Sequence, residues 1–345
     1  MTKIRIIDAT LRDGMHAVSH QFSPEDMATI AAALDSAGVD TIEIGHGDGQ
    51  GGSTFQYGFA KASDEDYLKA VSPVLTKAKL DILILPGIGT ESDIELGAKY
   101  GVKVVRIATH ATEADVGAQH ITFTRSLGME AIGFLMMAHM APVEKVVEQA
   151  KQFESYGADT VYVTDSAGTM LPWEVTEKIA AVKAAVTVPV GFHGHNNLGL
   201  AIGNTLAAVQ AGASCVDGCL CGLGAGSGNA QTEVLAAVFD RMNIDTGIDL
   251  YKVMDVAEEE VRPRMHQPQA ITKFGLSIGW AGVYGSFLLH AVRAGQQFGV
   301  DPRDILVELG RLKTVGGQED LIIDVASRLA AEKTQRREKS RAAHT

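Results

Sequence analysis

Cysteine is scarce in this chain, and the three present, Cys215, Cys219 and Cys221, lie within seven positions of one another. They cannot form a disulfide framework, and Cys-x-Cys is poor spacing for zinc, so reduced thiols in a cytoplasmic protein are the expectation. Proline is rare as well: nine against 37 glycines, which reads as many tight strand-to-helix turns rather than disorder. Positive charge is in deficit, 30 Lys and Arg against 42 Asp and Glu. The net charge of −12 disfavours nucleic acid and anionic membrane as partners. The one basic run, with Lys333, Arg336, Arg337, Lys339 and Arg341, reads as a solvated flexible tail over 333–345. No uncharged apolar run reaches the ~18–20 residues needed to span a bilayer. Met1-Thr2-Lys3-Ile4-Arg5 runs straight into an apolar segment, without the pattern of a secretory signal.

What is present is alternation. Short apolar runs at 4–8, 40–44, 81–85, 103–108, 130–136, 160–164, 188–195 and 214–218 read as strands. Helical segments fall between them, opened by signals such as Ser23-Pro24-Glu25-Asp26 and closed by glycines such as Gly38, Gly101, Gly157 and Gly212. Eight strand–helix units imply a parallel sheet and match an α/β fold of the (β/α)8 TIM-barrel type, with an open doubly wound sheet as the alternative. After Arg262 the strand signal stops, and helical segments at 276–298, 302–312 and 319–331 follow. The expected organisation is a catalytic barrel over 1–262, a small all-helical domain over 263–332, and the tail. A helical domain of that size is too small to hold a large core alone, so it is expected to pack on the barrel or on another chain.

The seventh strand carries the chemistry. In Val190-Gly191-Phe192-His193-Gly194-His195 the two histidines are two apart, so both imidazoles point to one face of a strand. That is a chelating geometry, although a structural histidine pair has the same spacing. In a barrel of this kind the reactive groups sit where strands end. The first strand exit supplies Arg12, Asp13 and His16; others supply Glu43, His46, Arg106, His110, Asp165 and Ser166. Asp13 completes a three-ligand set with His193 and His195, leaving open positions on a divalent ion. Arg12 is a clamp for a substrate carboxylate, or else an ion pair closing the barrel end. His16 is a candidate general base, with His20 close in sequence. Ser166 binds a carboxylate or caps the helix that follows. No lysine stands at a strand exit, so a Schiff-base aldolase has no nucleophile and a metal must take its place as electron sink.

Asp8-Ala9-Thr10-Leu11-Arg12-Asp13-Gly14-Met15-His16 with Gly191-Phe192-His193-Gly194-His195-Asn196 resembles the metal-dependent lyase barrels that include homocitrate and isopropylmalate synthases and hydroxymethylglutaryl-CoA lyase. Gly45-His46-Gly47-Asp48-Gly49, Gln56-Tyr57-Gly58-Phe59, Arg106-Ile107-Ala108-Thr109-His110 and Val315-Gly316-Gly317-Gln318-Glu319-Asp320 bring it closer to the 4-hydroxy-2-oxovalerate aldolases, over nearly the whole chain. The resemblance implies Mn²⁺, with Mg²⁺ or Co²⁺ as alternatives, on Asp13, His193 and His195. It implies that Arg12 stabilises a pyruvate enolate, that His16 is the base, and that Tyr284 reaches in from the helical domain to orient substrate. Leu83 and Leu85 would shape the aldehyde pocket. It further implies cleavage of 4-hydroxy-2-oxopentanoate in the degradation of aromatics or steroids. The implied partner is an acylating acetaldehyde dehydrogenase in a hetero-oligomer, a heterotetramer. A Claisen lyase or synthase acting on CoA esters, or a non-catalytic metal-binding scaffold for a dehydrogenase, are the competing readings. One departure from the pattern is Gln231-Thr232, where a proline and an apolar residue are expected.

Overall fold

The computed structural model describes residues 3–342. Eight strands, β1 (Arg5–Leu11), β2 (Thr41–Ile44), β3 (Lys79–Ile84), β4 (Val104–His110), β5 (Glu130–Met136), β6 (Thr160–Asp165), β7 (Val190–Gly194) and β8 (Cys215–Gly218), pair in sequence order into a closed barrel. All pairings are parallel, and β8 returns to β1 through Arg5 opposite Cys215 and Ile7 opposite Asp217. Closure excludes the open doubly wound sheet.

The helices follow their local signals. In α1 (Pro24–Ser36) the Ser23 hydroxyl accepts from the Asp26 N–H at 3.1 Å and the Asp26 carboxylate accepts from the Ser23 N–H at 2.9 Å, a reciprocal cap with proline at the first turn. Ser63 and Asp66 repeat the device for α2 (Asp64–Val71). Pro73 stops that helix in a single tight turn over Ser72–Val74. Helices α3 (Glu91–Lys99), α4 (Ala118–Ser126), α5 (Val143–Ser155), α6 (Pro172–Ala185), α7 (Ala201–Gln210) and α8 (Thr232–Arg241) complete the outer ring. A short α9 (Leu250–Asp255), capped by the Asp249 side chain, lies against α1.

Two apolar shells hold the barrel. The larger packs strands against helices, with Ile42, Ile82, Val105, Val161 and Val190 facing Ile30, Leu34, Ile121, Val146 and Ile179. The smaller lies inside the barrel around Ile7, Val104, Ile132, Phe134 and Tyr162. Charge is paired at both ends: half-buried Arg5 with Asp40 and Glu130 at one, and buried Arg106 with Glu43 and Asp217 beneath the other.

The helical domain comprises α10 (Lys273–Ala281), α11 (Phe287–Phe298), α12 (Pro302–Arg311) and α13 (Leu321–Ala342) around its own cluster of Ile278, Phe287, Ile305, Leu309, Ile322 and Val325. Two expectations need correction. The segment 276–298 is not one helix: Gly282, at φ 66°, ends α10 in the left-handed conformation, and Tyr284 lies in the break. The last helix does not end at 331 before a flexible tail but runs to Ala342. It meets no glycine or proline, its residues are strong helix formers, and Arg328 pairs with Glu332 one turn on.

Candidate metal centre

β1 ends at Leu11, and Arg12 leads into a tight helical turn over Asp13–Val18, which faces Asp13 and His16 across the barrel mouth. β7 delivers His193, and His195 follows one residue past its end. The two imidazole rings lie 5.1 Å apart, and both Nε2 atoms approach one oxygen of Asp13, at 3.5 Å from His193 and 3.6 Å from His195. Ligand atoms of all three residues lie within 4.8 Å of one another, and all three side chains are buried.

The far side of each ring is committed. His193 Nδ1 is 2.8 Å from Asp217 Oδ2 and His195 Nδ1 is 3.3 Å from the Ala225 carbonyl. Both partners only accept, so each Nδ1 carries the proton and each Nε2 turns a lone pair toward Asp13. Burial pushes the His195 imidazole down to about 4, so it is neutral and able to ligate near pH 7. Burial opposes ionisation of Asp13, but His195, Arg12 and His193 outweigh it and hold the carboxyl far below the usual range. Asn229 donates to Asp13 Oδ2 at 2.7 Å and fixes its plane. Two imidazole nitrogens and an oriented carboxylate are a donor set that fits a divalent cation.

Arg12 stands beside this set. Its Nη1 is 3.6 Å from Asp13 Oδ1, its Nε donates to Glu43 Oε2 at 2.9 Å, and its Nη1 also donates to the Gly47 carbonyl at 3.2 Å. His16 Nε2 is 3.9 Å from Asp13 Oδ1 and is partly open to the cavity. The His16 ring meets His20 edge-on at 5.0 Å, and His20 stacks on His46 at 3.7 Å. Burial, with His16 and His46 adding to it, pushes His20 down to about 3, so it packs as a neutral ring. Gly47 closes the other side: a Cβ there would lie 2.5 Å from His16 Nε2.

A cavity of about 630 Å³ is lined by Arg12, Asp13, His16, His193 and His195, and also by Leu83, Leu85, Ser166 and Tyr284. All nine residues singled out in the sequence therefore meet in one space. Ser166 Oγ accepts from the Met137 N–H at 3.0 Å rather than capping a helix. The remaining strand-exit candidates lie elsewhere. Glu43 and Arg106 are wholly buried below the cavity floor. His46 bonds the Gly58 carbonyl, and His110 bonds Thr112. Asp165 accepts from the N–H groups of Thr169 and Met170 and so ties down its own loop. Sequence reasoning passed over Asp217 and Asn229. The signal for Asp217 was a carboxylate inside the apolar strand Cys215-Val216-Asp217-Gly218; Asn229 gave none.

Residues 3–259 match the HMGL-like family and residues 269–331 match the DmpG-like communication domain. In fold, the chain superposes on the carboxyl transferase domain of pyruvate carboxylase from Rhizobium etli with a TM-score of 0.82 at 17% identity, covering 96% of this chain and 61% of that one. It also superposes on the N-terminal domain of a putative aldolase from Bacteroides vulgatus with a TM-score of 0.72 at 22% identity, covering 84% and 96%. The chain thus spans about three fifths of the carboxyl transferase domain, and both likenesses speak to the fold alone. Fold and family match together define an HMGL-like TIM-barrel lyase carrying a communication domain. Among curated relatives, 4-hydroxy-2-oxovalerate aldolases of Carboxydothermus hydrogenoformans and Pelotomaculum thermopropionicum are 70% and 60% identical, over 95% and 96% of this chain and 98% of each relative. The chain belongs to the 4-hydroxy-2-oxovalerate aldolase family and is a carbon–carbon lyase.

Proposed function

We propose that this enzyme cleaves 4-hydroxy-2-oxopentanoate to pyruvate and acetaldehyde by a retro-aldol reaction, with a divalent ion held by Asp13, His193 and His195. The observation that carries this reading is the placement of four groups around one carboxylate. Asp13 is approached by two imidazole nitrogens at 3.5 and 3.6 Å, by the Arg12 guanidinium at 3.6 Å and by His16 at 3.9 Å. When bound, a divalent ion supplies Lewis acidity toward the 2-oxo group of the substrate; Mn²⁺ is our first choice, with Mg²⁺ or Co²⁺ as alternatives.

The chain's own residues do the rest. Arg12 is held by Glu43 and the Gly47 carbonyl, and its guanidinium faces the anionic end of the substrate. Its charge stays fixed while negative charge grows on the enolate, the arrangement that favours the transition state. His16 Nε2 takes the proton from the 4-hydroxyl, the C3–C4 bond breaks, and its electron pair stays with C3 as the enolate of pyruvate. The C4 fragment leaves as acetaldehyde, and protonation at C3 completes pyruvate. Tyr284 covers the mouth and orients substrate, Ser166 contacts the carboxylate, and Leu83 and Leu85 enclose the aldehyde carbons.

The match of the helical region to a communication domain supports an acylating acetaldehyde dehydrogenase as the acceptor of the aldehyde; a heterotetramer is the assembly we propose for the pair. We place the reaction in the cytoplasmic meta-cleavage degradation of aromatic compounds or steroids. No helix among the described residues is long and apolar enough to cross a membrane. The test is pyruvate release from 4-hydroxy-2-oxopentanoate with and without chelator. Release that stops with chelator and returns with Mn²⁺ supports the reading; release that chelator leaves untouched sinks the metal, and no release at all sinks the reaction.

A further inference from the structure

Below the cavity floor the enzyme buries an arginine that touches no substrate. Arg106 on β4 is fully enclosed, with its guanidinium carbon 4.5 Å from the centroid of the Phe134 ring and 4.6 Å from that of Tyr162. The two rings fix the plane of the fork. One arm, Nη1, donates to Glu43 Oε2 at 3.2 Å, and the other, Nη2, donates to Asp217 Oδ2 at 2.6 Å. Each of those oxygens also takes a bond from the site above. Glu43 Oε2 holds Arg12 Nε at 2.9 Å, and Asp217 Oδ2 holds His193 Nδ1 at 2.8 Å.

We infer that Arg106 is a positioning residue that aligns, through Glu43 and Asp217, both the arginine that faces the substrate anion and one histidine that holds the metal. The inference rests on the metal reading above and goes beyond it by assigning work to three residues that never meet substrate. The chemistry asks for this arrangement. A histidine ligand must keep its proton on Nδ1 so that Nε2 is free, and a carboxylate behind the ring selects that tautomer. A guanidinium must point at an anion without swinging, and a fixed carboxylate on its Nε does that. One fork serving both carboxylates makes the two alignments interdependent. A shift of Arg106 moves Asp217 and Glu43 together because each carboxylate uses the same oxygen upward and downward. Lysine cannot replace it: a single ammonium nitrogen keeps the charge but cannot hold two carboxylates at the spacing of a fork.

Three variants of the full-length enzyme test this with two binding measurements: Mn²⁺ titrated calorimetrically into metal-free protein, and pyruvate titrated into Mn²⁺-loaded protein. Asp217→Asn is expected to weaken Mn²⁺ about 10-fold or more, the range for partners behind a metal ligand, with pyruvate affinity little changed. Glu43→Gln is expected to do the converse. Arg106→Lys is expected to weaken both. A folded Arg106→Lys protein that binds Mn²⁺ and pyruvate as wild type does overturns the inference. Should Arg106→Lys fail to fold, the isosteric Asp217→Asn and Glu43→Gln variants decide it, and wild-type affinities in both overturn it equally. A ¹⁵N spectrum of the metal-free protein gives a readout that activity cannot mimic. His193 is expected as the Nδ1–H tautomer, and a mixture of tautomers in folded wild type removes the Asp217 arm. Wild-type protein that takes up no Mn²⁺ overturns the reading of the site and this inference with it, whereas intact wild-type binding with unaffected variants overturns this inference alone.

Discussion

His16 has little freedom, and that sets what its neighbours can tolerate. Its ring is bounded by His20 on one side and by the bare backbone of Gly47 on the other, where a Cβ would come within 2.5 Å of Nε2. Gly47→Ala must displace the imidazole, so turnover is expected to fall about 10-fold or more while Mn²⁺ affinity stays within a factor of about two. Unchanged kcat there would show that the position of His16 is immaterial. His16→Ala removes the proposed base altogether, and kcat is expected to drop by ~10² or more, with pyruvate binding to the loaded protein preserved. Near-normal kcat in that variant would remove His16 from the role. At this scale the sequence disclosed the residues that stand at strand ends and point into the mouth: Arg12, Asp13, His16, His193 and His195. It did not disclose Asn229, Asp217 or the seating of Arg106, because their meaning lies in hydrogen bonds spanning from 24 to more than 200 residues. No local pattern encodes a partner at that separation.

Elements were legible where the signal was local and lost where a single residue overrode a period. The eight strands and their order follow from apolar runs bounded by glycine; β5 keeps its bounds and the others are recovered with edges shifted by a few residues, β1 extending to Leu11 instead of 8. The apolar spacing across 276–298 continues through Gly282, but the left-handed turn there outweighs it and frees Tyr284 to lie between α10 and α11. At the start of α8, Glu233 presents a different conflict. A helix N-terminus favours a carboxylate, and the side chain does accept from the Cys221 N–H at 3.2 Å, yet burial, with nearby Asp8, pushes it up to about 7. The folded state therefore binds this proton more tightly than the unfolded chain, whose carboxyl titrates near 4.5. Its contribution is fully present below that pH and is lost as pH rises through 7. Glu233→Gln keeps the acceptor and removes the titration. Relative to wild type it is expected to gain stability between pH 5 and pH 8, by up to roughly 3 kcal/mol. Urea unfolding at the two pH values checks it, and an equal difference at both would show that Glu233 does not titrate in this window.

In the whole molecule the proposed metal ligands come from opposite ends of the barrel sequence. Asp13 follows β1 and His193 lies in β7, so about 180 residues of chain separate groups that meet at 3.5 Å. An ion held between them would link the first strand exit to the seventh across β8, whereas the helical domain has a separate apolar cluster and, among the described residues, supplies no ligand. Binding of this kind exists only in the closed barrel, because the unfolded chain rarely brings the three side chains together. Mn²⁺ at about 100 times its Kd is thus expected to add ~2.7 kcal/mol to barrel stability. Tm should rise by a few degrees over chelator-treated protein. The effect should vanish in Asp13→Asn, which keeps the shape of the side chain and its neighbour Asn229 but loses the anionic ligand. Trp173, on the rim-side helix α6, and Trp280, in the helical domain, are both exposed, so fluorescence reports on each part of the fold. Melting curves of wild type that coincide with Mn²⁺ and with chelator would mean that the three residues hold no ion in the folded enzyme, and the strand exits would then be joined by hydrogen bonds alone.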